Sequence, residues 1–267
     1  MIDKHGSGKH PFLEALKAKK NVMGAVILRD MRTRFFNHGL GFILQCLWPL
    51  AHILVVMGIN IASGRAAPYG TPMLFFATGL LPTLTFIYIS RFMGLSVVMN
   101  QPMLSFPIVK VSDILFGRAV LEVIAGCVTL VIMWGIFIAI GDYPYPDHPA
   151  DAVLAYLSTI LLALGVGTIV GVVTQFQPML ATVYALMTII IYISSGALFV
   201  TSAFPDQIAI PLSYLPVVQC VEWMRVAYFE NYSDRILSRE YLLWFGVTSL
   251  MIGLLLERNL RRVVMDN

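Results

Sequence analysis

Polar chemistry in this chain rests on a few side chains set within long apolar runs. In the run 40–62, Gln45, Trp48, His52 and Asn60 fall inside an arc of about 120° when residues are placed every 100° around a helix. Thr78, Thr85 and Tyr88 share an arc of about 80° on a second run, by the same arithmetic. On a third, Tyr184, Thr188, Tyr192 and Ser195 recur at spacings of four, four and three. Such stripes admit two roles. One is interhelical hydrogen bonding, which membrane helices use as packing glue. The other is the wall of a pathway, where rings stack on sugar faces and hydroxyls exchange hydrogen bonds with a passing chain. At this stage both readings stay open.

The remaining constellations are thinner. Arg118 and Glu122 stand one helical turn apart at the edge of an apolar run. An unpaired charge at the bilayer centre costs about 2.5–3.5 kcal/mol on insertion scales, so these two are expected to pair. Glu222 and Arg225 are three apart in a later, mixed segment. Gly6-Ser7-Gly8-Lys9 resembles part of a phosphate loop, but the Walker pattern needs Gly where Asp3 stands and Ser or Thr where His10 stands. Cys46, Cys127 and Cys220 are odd in number and scattered, which suits neither a disulfide framework nor a metal site. His52 alone reads as a packed polar residue. The sequence therefore predicts no catalytic residue, no metal and no proton-relay chain of acids.

The elements that carry these residues follow from composition. Of the 267 residues, 58% are hydrophobic and 12% charged, about half the charged fraction of an ordinary soluble domain. Mean hydropathy is +0.79. Six runs are long enough to span about 30 Å of hydrocarbon as helix: 40–62, 72–93, 119–140, 152–173, 179–200 and 241–257. They lack the alternation of barrel strands. The expected class is an all-α integral membrane protein with six transmembrane helices. A basic N-terminal arm, 1–39, forms one or two interface helices, and 40–267 forms the membrane body. No secretory signal pattern is visible near the N-terminus.

Fourteen of the 18 Lys and Arg fall in the arm, around 91–118 and in the C-terminal tail, which puts both termini in the cytoplasm. That asymmetry accounts for the net charge of +3 and gives no support to a nucleic-acid partner. Between the second and third spans, the prolines of 94–118 predict a short helix-turn element on the inner side. Gly167 and Gly171 give the fourth span a smooth face for close packing. The segment 201–240 is too polar and too interrupted by Pro205, Pro211 and Pro216 to span. It is expected to fold as a re-entrant helical hairpin on the outer side, shielded by protein or a water-filled cavity, as a gate or mouth.

Several patterns then line up in order. Ile27-Leu28-Arg29-Asp30-Met31-Arg32-Thr33-Arg34 precedes Leu40-Gly41 and Pro49. Asn100, Phe106-Pro107, Val109, Asp113, Arg118 and Glu122 follow, and later Pro216 with Glu222-Trp223-Met224-Arg225. This order resembles the permease subunits of ABC-2 type exporters, specifically the KpsM-like capsular polysaccharide exporters. Where that family often has Asn before the proline and His three after it, this chain has Leu215 and Gln219.

The resemblance implies a non-enzymatic permease subunit in the bacterial inner membrane, acting as a homodimer with two copies of a separate ATPase. That ATPase would bind ATP and Mg, leaving no cofactor on this chain. The cargo would be a long, lipid-terminated polysaccharide, passed on to periplasmic and outer-membrane proteins. Coupling to the ATPase would fall on Asn100, Gln101, Pro102, Phe106, Pro107 and Lys110, with Arg29, Arg32 and Arg34 on the arm. The outer gate would use Pro216, Glu222, Trp223 and Arg225. The polar stripes would then line the conduit through Trp48, His52, Tyr88, Tyr184, Thr188, Tyr192 and Ser195. Export of O-antigen, teichoic acid or a small molecule is the neighbouring reading. An intramembrane transferase would need clustered Asp, Glu or His, and an ion-coupled carrier would need inverted repeats.

Overall fold

The protein is described by a computed structural model covering residues 11–33, 40–106 and 108–265. Among these residues the regular structure is helical: α1 (Pro11–Thr33), α2 (Leu40–Ala62), α3 (Pro72–Met99), α4 (Val111–Ala139), α5 (Pro149–Phe176), α6 (Met179–Ser194), α7 (Asp206–Ser213), α8 (Pro216–Tyr228) and α9 (Arg239–Met265). Short 3-10 turns occupy Gln101–Ser105 and Thr201–Ala203. Among the described residues five helices are long and apolar enough to cross a membrane: α2, α3, α4, α5 and α9.

The predicted span 179–200 is a shorter helix. α6 has 16 residues, which at 1.5 Å each reach about 24 Å. It ends because Gly196 takes the left-handed conformation, φ 78°, which glycine adopts without steric cost. The carbonyls of Ala197 and Phe199 then go to Arg225 instead of to a further helical turn. Elsewhere helices outrun the apolar stretches that announced them. α4 begins at Val111 because the Lys110 amide donates to Asp113 Oδ2 at 3.1 Å, a local cap that hydropathy does not register.

α3 is buried along most of its length and forms the centre of the bundle. α5 lies against it through Gly167, where a Cβ would come within 2.6 Å of Met93 Sδ. Gly171 faces Leu115 of α4, and Gly165 meets the Gly246 backbone and Ser249 of α9. Glycines on two sides of α5 thus seat three neighbours, which is how backbones approach closely without a hydrophobic drive from lipid. α1 is no detached tail. Val26 is fully buried and Gly117 of α4 gives it room.

The loops gather at two ends. At one end Tyr69 packs on Tyr232 at 4.9 Å, Thr71 donates to Asp142 at 2.6 Å and the Glu230 amide donates to Asp147 at 2.9 Å. At the other end Lys19 of α1 lies 3.8 Å from Asp113 of α4, beside the turn 101–105. Segments α7 and α8 belong to the first of these ends.

Candidate functional site

A cleft of about 340 Å³ opens between α2, α3 and α6. Helical spacing aims its polar walls: Trp48 and His52 one turn apart on α2, Tyr88 and Arg91 on α3, Thr188 and Tyr192 on α6. His52 Nδ1 lies 2.9 Å from the Tyr88 hydroxyl. Its ring sits 5.8 Å from that of Tyr192, tilted by 40°. Tyr88 in turn stacks on Phe92 at 5.8 Å with planes 7° apart. The result is a wall of rings and hydroxyls with one exposed cation, Arg91. It offers shallow, repeated contacts and no chelating group.

Two of the seven residues expected to line the conduit fall elsewhere. The Tyr184 hydroxyl donates to Ser90 Oγ at 2.8 Å, bridging α6 to α3. Ser195 closes the end of α6, donating to the Tyr192 carbonyl at 2.8 Å and accepting from the Ala197 amide at 3.2 Å. Neither lines the cleft. Periodicity identified one polar face; which members bond inward depends on the neighbour each turn meets.

At the end of the bundle that holds Lys19 and Asp113, a buried polar network joins four helices. Arg118 pairs with Glu122 one turn on, as its spacing predicts, and lies 3.6 Å from Asp30 of α1. Asn100, at the end of α3, donates to Asp30 Oδ1 at 2.9 Å. Gln45 of α2 donates to Glu122 Oε1 at 3.1 Å, and Phe92 lies under the Arg118 guanidinium at 5.0 Å. Of the residues named for coupling, Asn100 is buried in this network, whereas Gln101, Pro102, Phe106 and Lys110 are exposed. Phe106 and Ile108 are 60% and 66% exposed, an apolar tip standing off the bundle. Pro107 and Arg34 lie outside the described residues, Arg32 is described in its backbone alone, and Arg29 is half-buried on α1.

Sequence reading missed the role of Asp30. In the fold it shares a face with Val26, is 4% exposed, and is held by Arg118 and Asn100. The available signal was an acid at i+4 from an apolar anchor, which inside a membrane protein asks for a named partner.

At the opposite end Pro216 opens α8, and Glu222, Trp223 and Arg225 are all buried on it. Among the described residues the ion pairs do not include Glu222 with Arg225. Arg225 instead donates to the carbonyls of Phe199 at 2.6 Å and Ala197 at 2.9 Å, with Phe75 beneath its guanidinium at 4.2 Å. Glu222 accepts from the Tyr232 hydroxyl at 3.0 Å. Burial pushes its carboxyl above the usual carboxylate range, against the opposing pull of Arg225 and the Tyr232 and Thr201 hydrogen bonds. Trp223 lies under Arg239, 5.5 Å from its ring. A second arginine clamps the same strap: Arg235 donates to the carbonyls of Ser202 and Phe204 and to Asp206.

No family model matches the chain. Over 243 residues it is 30% identical to the polysialic acid transport protein KpsM of Escherichia coli, covering 91% of this chain and 94% of that protein. It is 26% identical over 262 residues to the capsule polysaccharide export inner-membrane protein CtrC of Neisseria meningitidis serogroup A, covering 92% and 93%. It is 22% identical over 250 residues to the capsule polysaccharide export inner-membrane protein BexB of Haemophilus influenzae, covering 93% and 94%.

Proposed function

The chain belongs to the family of KpsM-like capsule polysaccharide export inner-membrane proteins, and from that premise we propose that it is the permease subunit of an ATP-driven exporter carrying capsular polysaccharide across the bacterial inner membrane. The observation that carries this reading is the match to a polysialic acid transport protein over nearly the whole of both chains. The cleft supports it. A polymer that must slide needs many weak contacts and no deep well, and the rings and hydroxyls between α2, α3 and α6 supply contacts of that kind.

The finer architecture belongs to the same proposal. α6 and the turn after it complete a sixth crossing, and α7 with α8 re-enters from the outer side. Both termini face the cytoplasm. Two copies of the chain assemble with two copies of an ATPase that binds ATP and Mg, while this chain performs no hydrolysis. The exposed tip at Phe106 and Ile108 is the surface the ATPase engages. The cargo is lipid-linked and passes to periplasmic and outer-membrane proteins.

Co-expression of the chain with its candidate ATPase, purification in lipid and assay of ATP hydrolysis tests the proposal. The expected result is a stable complex whose hydrolysis depends on the permease, together with loss of surface polysaccharide when the chain is deleted. A chain that brings down no ATPase, or whose deletion leaves surface polysaccharide intact, overturns it.

A further inference from the structure

Beside the cleft lies a second cavity of about 240 Å³, bordered by Gln45, Pro49, Phe92, Arg118 and Glu122. Trp48 and Tyr88 line both spaces, so their side chains form the partition between them. Trp48 is 69% exposed and stands at the rim.

The floor is unusual for a cavity among membrane helices. Arg118 is 1% exposed, yet its Nε and Nη1 donate no hydrogen bond among the described residues. Only Nη2 is hydrogen-bonded, to Glu122. A guanidinium withdrawn from water with donors unspent is costly, so acceptor atoms belong in front of it. The charge around it narrows the choice. Arg118 is flanked by two carboxylates, Glu122 and Asp30, so an incoming anion would meet net negative charge. A hydroxyl group does not, because it accepts from a guanidinium and donates to a carboxylate. The volume is below the roughly 300–1,000 Å³ of sites for drug-sized ligands, which suits one ring and not a chain segment.

Resting on the reading of the chain as a glycan permease, we infer that this chamber receives one uncharged sugar ring of the polymer, its hydroxyls bridging Arg118 and Glu122 and its apolar face against Trp48. Acidic units stay in the main cleft, where Arg91 is the exposed cation. The permease thereby distinguishes neutral from acidic units along a chain by which of two adjoining spaces each can occupy.

The test is saturation-transfer NMR on the full chain in lipid nanodiscs, with methyl glycosides of glucose, galactose and N-acetylglucosamine as neutral probes and methyl glucuronide as the acidic one. At least one neutral probe should show transfer, and Gln45→Leu, which alters the chamber and not the cleft, should cut that signal at least fivefold while leaving any transfer to the acidic probe unchanged. Trp48→Ala should also cut the neutral signal at least fivefold, with the size-exclusion profile of both variants unchanged. Absence of transfer from every neutral probe, an acidic signal that falls as far as the neutral one in Gln45→Leu, or a neutral signal indifferent to both variants overturns the assignment and leaves the chamber to water. Association with the ATPase, measured on the same preparations, separates the two ideas. Its loss with the neutral signal retained defeats the exporter reading, and its retention with no signal defeats the chamber alone.

Discussion

Arg225 spends its charge on main chain, holding the carbonyls of Ala197 and Phe199 from α8. Hydrogen bonds from a charged donor contribute about 1.5–3 kcal/mol each, and the compact ammonium of a lysine lacks the planar fork that spans both carbonyls. Arg225→Lys is therefore expected to lower stability by about 2 kcal/mol, read as a fall in the thermal unfolding temperature of the purified protein. Gly79 shows why the strap lies so close: a Cβ there would fall on the Ala197 carbonyl that Arg225 holds. Gly79→Ala should cost about 1–3 kcal/mol by the same measurement, as overpacking does in other cores. Glu222 adds a pH dependence. Its carboxyl is raised by burial, so the folded state holds the proton more tightly than the unfolded chain does. The resulting stabilisation is complete below the ordinary value of 4.5 and fades as pH rises through the folded value. Glu222→Gln should flatten the decline in unfolding temperature that sets in as pH rises above 4.5. An unchanged slope would place the titration on another group.

The elements show what a linear reading can and cannot reach. Hydropathy located α2, α3, α4, α5 and α9, because about 20 apolar residues in a row have few other uses. Helix ends were harder. α3 and α4 continue past their apolar runs to the end of the bundle where Asn100, Asp113 and Arg118 find partners contributed by α1 and by local caps. α6 falls short because Arg225, some thirty residues later, takes its next carbonyls. Neither effect leaves a trace in a sliding window. The polar stripes were legible as faces, yet only three-dimensional neighbours decide that Tyr192 lines a cleft while Tyr184 bonds Ser90. The same holds for Asp30, whose pairing links the arm to the end of α3. If α1 and the turn 101–105 act as one body through that link, Asp30→Ala and Asn100→Ala should loosen the arm to a similar degree. The double variant should then be little worse than either single one, as coupled residues behave. Protease cleavage within α1 and retention of the ATPase measure this. Fully additive effects would show that the arm and the turn are held separately.

At the scale of the whole molecule, the open side of the cleft poses the next problem. Apolar exposure alone says little in a bilayer, since lipid tails satisfy leucine and isoleucine as well as protein does. His52, Arg91 and the Tyr192 hydroxyl are different, because polar groups turned to hydrocarbon are expensive and usually face a bundle interior or water. α2 and α6 flank the cleft and present Leu47, Met187 and Ile190 outward. A second copy set against these helices would convert two open clefts into one enclosed, wettable conduit. Single cysteines test that arrangement in a background lacking Cys46, Cys127 and Cys220. Trp48→Cys and Tyr192→Cys should react with a membrane-impermeant thiol reagent when the exporter is turning over. Met187→Cys and Ile190→Cys should stay unreactive, as should Tyr184→Cys, whose position is taken up by packing on α3. Fast labelling at 187 and 190 with silence at 48 and 192 would put water on the other face of α6. The stripe would then be helix packing, and the path of the glycan would have to be sought elsewhere in the protein.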